Sequence, residues 1–150
     1  MVKIRRAVRA VIFDQDNNLA ILDVNNGDHY KIPGGKMEKG ETWEDALRRE
    51  VKEEAGCEIE ILGEIGKAEF LSEHKDTIHH SVCYLTRCIG KKSDPKFDER
   101  ETSMNFKLMW VGFQNVIKLF ESAHPSDYYD KIINKRDLGF IKKAFTMLKK

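Results

Sequence analysis

A strip of acid inside a helical pattern constrains this chain more than any other feature. Glu50, Glu53 and Glu54 stand at i, i+3 and i+4 within Thr42 to Ala55, the clearest helix in the sequence. Thr42 is the expected N-cap, with Asp45 three residues on as a weaker variant of the capping box. Trp43, Leu47, Val51 and Ala55 step by four into one apolar stripe, and Gly56 supplies the stop. On such a helix the three glutamates lie within about 100° of one another. Like charges so spaced repel by roughly a few tenths of a kcal/mol per pair, so a compensating cation is expected. Clustered hard oxygen ligands suit Mg²⁺ or Mn²⁺ rather than zinc. Read as an ordinary solvated face, the same acids would pair with Lys39, Arg48, Arg49 and Lys52.

The flanks alternate strand and turn. Ile4 to Phe13 and Leu19 to Val24 read as a hairpin about the polar Asp14 to Asn18, and a short segment from His29 to Ile32 runs into the bend Pro33-Gly34-Gly35. Glu58 to Leu71 and Thr77 to Ile89 are two more strands, and Gly90 to Glu101 is a charged loop. Phe106 to Val111 follows as a strand and Asn115 to Phe120 as a short helix. A last helix is expected to start near Asp137, with Leu138, Ile141, Ala144, Phe145 and Leu148 on its apolar face. No repeat or boundary divides the 150 residues, which are read as one α+β domain, 1–150.

Twenty-six basic against 25 acidic residues leave a formal charge of +1, which offers no general footprint for long nucleic acids or anionic membranes. No segment has the length of a membrane span or the form of a signal peptide, so the expectation is a cytoplasmic protein. Cys57, Cys83 and Cys88 lack metal-ligand spacing and read as reduced thiols; Cys83 and Cys88, five apart in a strand, face opposite ways.

The acidic strip sits in a longer register: Gly35, five residues, Glu41, seven residues, Arg49-Glu50, Val51, one residue, Glu53-Glu54, one residue, Gly56 and Cys57. This resembles the Nudix box at every fixed position, with Cys57 where an aliphatic residue is usual. Seven fixed positions coincide by chance on the order of once in 10⁸ to 10⁹ windows, so the resemblance is specific. Pro33-Gly34, the strand order and Trp110-Val111 extend it over much of the chain. It implies the Nudix fold, an α/β/α sandwich with a mixed β-sheet. It also implies a Mg²⁺-dependent hydrolase, with Mn²⁺ as a substitute, acting on nucleoside-diphosphate-linked substrates.

Carried over by position, the resemblance makes Glu53 and Glu54 the principal metal ligands. Glu50 becomes a further ligand or the general base, since members differ in where the base lies. Arg49 would orient Glu50 and bond Glu41, and Gly34 would offer its carbonyl to the metal beside the substrate-facing Gly35. A further acid is expected outside the box, from Asp98, Glu99 or Glu101, with Glu101 preferred. Family members often form homodimers.

Other residues carry weaker signals. Arg5 and Arg9 share one strand face and could meet substrate phosphates, whereas Arg6 lies on the other. Tyr30, ahead of the glycine turn, could stack on a base or simply pack. His79 and His80 are adjacent in a strand and cannot easily share an ion. The expected substrate is a small nucleotide, with a nucleoside triphosphate cleaved to the monophosphate first and ADP-ribose or a nucleotide sugar second. A non-catalytic nucleotide sensor and a hydrolase of RNA 5′ ends are the competing classes.

Overall fold

In a computed structural model that describes residues 1–149, one mixed sheet carries helices on both faces. Its long strands are β1 (Lys3–Phe13), β2 (Asn18–Val24), β5 (Glu58–Leu71) and β6 (Thr77–Ile89); β3 (His29–Lys31), β4 (Gly34–Lys36) and β7 (Lys107–Gly112) are short. The strand order is β3-β2-β1-β6-β5, with β4 paired to β1 and β7 to β2. β1 is central: it runs parallel to β6 along its whole length, from Lys3↔Thr77 to Phe13↔Arg87. Its other edge is divided between β4, at Ala7 to Arg9, and β2, at Phe13↔Leu19. The expected hairpin is therefore only a corner contact, and the main partner of β1 arrives more than sixty residues later.

Alternation along β1 sorts its side chains between two cores. Val8, Ala10 and Ile12 pack against Leu47, Val51 and Ala55 of helix α1 (Trp43–Ala55). Val11 and Phe13 pack against Phe120 of α3 (Phe113–Ser122) and against Phe140, Ile141 and Ala144 of α4 (Tyr128–Leu148). The layers are thus α/β/α. α1 has the caps read from the sequence: Thr42 Oγ1 accepts from Asp45 N, and Gly56 is left-handed at φ +64°. A side chain at Gly56 would also collide with the Ser93 carbonyl. Trp43 departs from the expected stripe; it is largely exposed and stacks on Tyr84 at 4.4 Å.

Two elements differ from expectation. α4 begins nine residues before Asp137, because Asp127 caps it by accepting from Tyr129 N and Asp130 N. A short helix, α2 (Glu99–Ser103), interrupts the supposed loop, with Asp98 and Glu101 forming a reciprocal capping box. Among the described residues no helix is long and apolar enough to cross a membrane.

Candidate active site

The C-terminal end of α1 fixes the site. The backbone donors of Lys96 and Ser93 reach the carbonyls of Glu53 (2.6 Å) and Gly56 (2.7 Å), so the segment after β6 takes up carbonyls that the ending helix leaves free. That tether delivers α2 to the acidic strip and, through the capping box, turns the Glu101 carboxylate inward. Glu54 and Glu101 are both buried, and their carboxyl groups meet. Burial first, and then the hydrogen bond with Glu101, push the Glu54 carboxyl well above the usual carboxylate range.

Two glycines let the backbone approach. Gly34 has φ +149°, and a Cβ there would lie 2.8 Å from the Cα and the Cδ of Arg9. Its amide donates to Glu54 Oε1 at 2.8 Å. A Cβ on Gly35 would stand 2.6–2.8 Å from the carboxyl atoms of Glu50. Arg49 spans the acids: Nε and Nη2 donate to Glu41 at 2.6 and 2.9 Å, and Nη1 donates to Glu50 at 2.9 Å. This fork lowers Glu41 to about 2 and raises the Arg49 guanidinium. Glu50 is raised by burial, against the opposing charge of Arg49.

These groups line a cleft of about 1130 Å³. The structure brings Gly34, Gly35, Arg49, Glu50, Glu53, Glu54 and Glu101 to it, together with Arg5 and Arg9 of β1. Glu41 stands behind Arg49, outside the lining. Tyr30 is not brought there: it packs into the α3/α4 core, 6.0 Å from the Phe120 ring. Its neighbour Lys31 points the other way along β3 and enters the cleft instead. Lys31 and Tyr129 are site residues that the sequence reading missed. Tyr129 leans on the stacked Phe70–His79 pair at 5.7 and 5.4 Å. His80 faces away and bonds Glu69.

Four acids that crowd Glu50 to Glu54 and Glu101, two of them buried against each other, form a donor set fitted to a divalent cation. A second acidic group, Asp28, His29 and Asp130, lies outside the lining. Its imidazole is already bracketed by the two carboxylates at 2.9 and 3.6 Å, so it reads as a polar link between β3 and α4.

Comparison with known proteins agrees with this geometry. The NUDIX domain description matches residues 3–130. Diphosphoinositol polyphosphate phosphohydrolase 2 of Mus musculus is 27% identical over 120 residues, which is 79% of this chain and 63% of that protein. The chain thus spans less than two thirds of that relative's length. An 8-oxo-dGTP diphosphatase of Proteus vulgaris is 43% identical over 53 residues, 33% of this chain and 47% of the relative. A NUDIX hydrolase structure from Nitrosomonas europaea superposes with a TM-score of 0.71 at 18% identity, covering 96% of this chain and 90% of that one. That likeness bears on the fold alone. With the domain matched across most of its length and the box intact in space as in sequence, the chain belongs to the NUDIX family.

Proposed function

We propose that residues 1–150 act as one cytoplasmic domain hydrolysing a diphosphate linkage in a small nucleoside-diphosphate-type substrate, with Mg²⁺ as the working ion and Mn²⁺ as a substitute. The observation that carries this reading is the cluster of Glu50, Glu53, Glu54 and Glu101 in one cleft lined also by Arg5, Arg9 and Lys31. Glu53, Glu54 and Glu101 would hold the ion, with the Gly34 carbonyl and Glu50 beside them. Bound there, a divalent cation neutralises charge on phosphate oxygens and lowers the pKa of water.

The protein's own groups supply the rest. Glu50, raised by burial and held by Arg49, would accept a proton from the attacking water. Glu41 keeps Arg49 charged and oriented. Gly35 leaves room for the Glu50 carboxylate, and Arg5 and Arg9 would take phosphate oxygens. A nucleoside triphosphate cleaved to its monophosphate is the first substrate reading, supported by the resemblance to an 8-oxo-dGTP diphosphatase over the box region. ADP-ribose and nucleotide sugars come second.

The test is phosphate and pyrophosphate release from a nucleotide panel with Mg²⁺, wild type against Glu53→Gln. Metal-dependent turnover that the variant loses supports the hydrolase. Tight nucleotide binding without turnover, unchanged by the variant, would replace it with a sensor.

A further inference from the structure

On the α4 side of the cleft, β1 and β3 place a second kind of site. Arg9 is 2% exposed and Lys31 8%, yet both border the cleft. Among the described residues the Arg9 Nε and Nη1 donors are buried without an acceptor, and so is Nη2 of Arg136 on α4. Orphaned buried donors are costly, so a fold that keeps those of Arg9 on the wall of a cleft, with Arg136 behind, is built for an acceptor from outside. Asp137 does not fill that need: it accepts from Arg136 Nε at 2.8 Å and from Ile32 N at 3.0 Å. Glu54 is the other nearby anion, and it belongs to the metal-binding cluster.

The charge balance is therefore uneven across the cleft. The α1 side gathers Glu50, Glu53, Glu54 and Glu101, with Arg49 bonded to Glu50, and is suited to a metal. The other presents Arg5, Arg9 and Lys31, with the buried Arg136 charge behind them. Burial, followed by the nearby Arg9 charge, brings Lys31 down to about 8, against the opposing pull of Glu54 and Asp137. A flat neutral base would find one aromatic side chain here, Tyr129. An anion would find two cationic side chains, Arg9 and Lys31, already desolvated and positioned, with the half-buried Arg5 beside them.

We infer that Arg9 and Lys31, with Arg5 at the rim and Arg136 as a positioning charge, form a subsite for a phosphate group other than the pair joined by the cleaved linkage. The inference rests on the diphosphate-hydrolase reading and narrows its substrate class. The extra phosphate is either the terminal group of a longer phosphate chain or a phosphomonoester on the sugar or polyol that the diphosphate decorates.

Two measurements on the full chain test it. In calorimetry with Mg²⁺, inositol hexakisphosphate serves as a non-turnover probe. Arg9→Gln and Lys31→Met should each weaken its binding on the order of tenfold to hundredfold. In kinetics, substrates are compared in pairs that differ by one phosphate: nucleoside tri- against diphosphate for the chain end, and 2′-phosphorylated against plain ADP-ribose for the monoester. Wild type should favour the phosphorylated member of at least one pair through KM, and both variants should lose that preference. The pair that shows it names the source.

Arg9→Gln should melt no lower than wild type, because it removes an orphaned buried charge, and Lys31→Arg should retain the preference. Unchanged probe binding in both variants, or no preference in wild type, would overturn the subsite. Loss of turnover in Glu53→Gln with the calorimetric result intact keeps the two readings separable.

Discussion

Glu54→Gln should stabilise the metal-free protein at alkaline pH while weakening its response to Mg²⁺. Glu54 is 1% exposed and its carboxyl meets that of Glu101. Two ionised carboxylates about 4 Å apart repel by about 4 kcal/mol at an effective dielectric of about 20. Glutamine keeps the shape, can still accept from Gly34 N through Oε1, and can donate to Glu101 through its amide. Allowing for relaxation and water entry, the gain is about half the Coulomb figure, about 2 kcal/mol, or about 4–8 °C in Tm for a chain of this size.

The pH dependence has a definite sign. Because Glu54 titrates higher when folded than unfolded, the folded chain binds that proton more tightly. Its stabilising effect is complete below the unfolded carboxylate pKa of about 4.3 and is lost as pH rises through the raised folded value. Thermal unfolding in chelator at pH 5 and pH 8 should therefore show the variant's advantage at pH 8 and a much smaller one at pH 5. Mg²⁺ at about a hundredfold over its Kd should return about 2.7 kcal/mol to wild type and much less to the variant. A variant less stable than wild type at pH 8 in chelator, or an advantage that does not change with pH, would refute the opposed-carboxylate account.

Three further changes probe the frame around those acids. Gly35→Ala puts a methyl 2.6–2.8 Å from the Glu50 carboxyl atoms; displacing that group by about 1 Å should cut kcat on the order of a hundredfold, with little change in Tm in the same preparation. Arg49→Lys cannot reproduce the paired bonds to Glu41 together with the bond to Glu50; steady-state kinetics should show kcat falling about ten- to a hundredfold with KM nearly constant. Asp127→Ala removes the cap of α4, for an expected cost of about 1 kcal/mol and a Tm lower by about 2–4 °C in calorimetry.

The acidic half of the cleft was readable because its chemistry is local. Glu50, Glu53 and Glu54 share a helix whose stripe, N-cap and glycine stop all agree. Glu101 came from outside the box, yet Asp98-x-x-Glu101 is itself a capping pattern, visible in one stretch of chain although it was read as loop. The parallel pairing of β1 with β6 was not readable. Strand periodicity says which faces alternate and nothing about which distant strand lies alongside, so the opening looked like a full hairpin when it is a corner.

On the basic side, Arg5 and Arg9 were readable from the alternation of β1, but Tyr129 and Arg136 were missed for one reason, the start of α4. From Tyr128 to Asp137 its buried positions are Ile133, Asn134 and Asp137, two of three polar, so the segment lacks the apolar rhythm that marks a helix. Those polar positions have partners across the interface. Asn134 donates to the Phe120 carbonyl, and Asp137 takes the Ile32 amide. The same stretch of α4 carries Tyr129 and Arg136 over Arg9 and Lys31. A helix that covers a polar part of a sheet must itself be polar, and hydrophobic patterning cannot find it. The polar stretch that hid α4 from the sequence reading also carries Arg136 and Tyr129 to the cations of β1 and β3, which is why α1 reads as catalytic from the sequence while specificity is to be sought where α4 meets those strands.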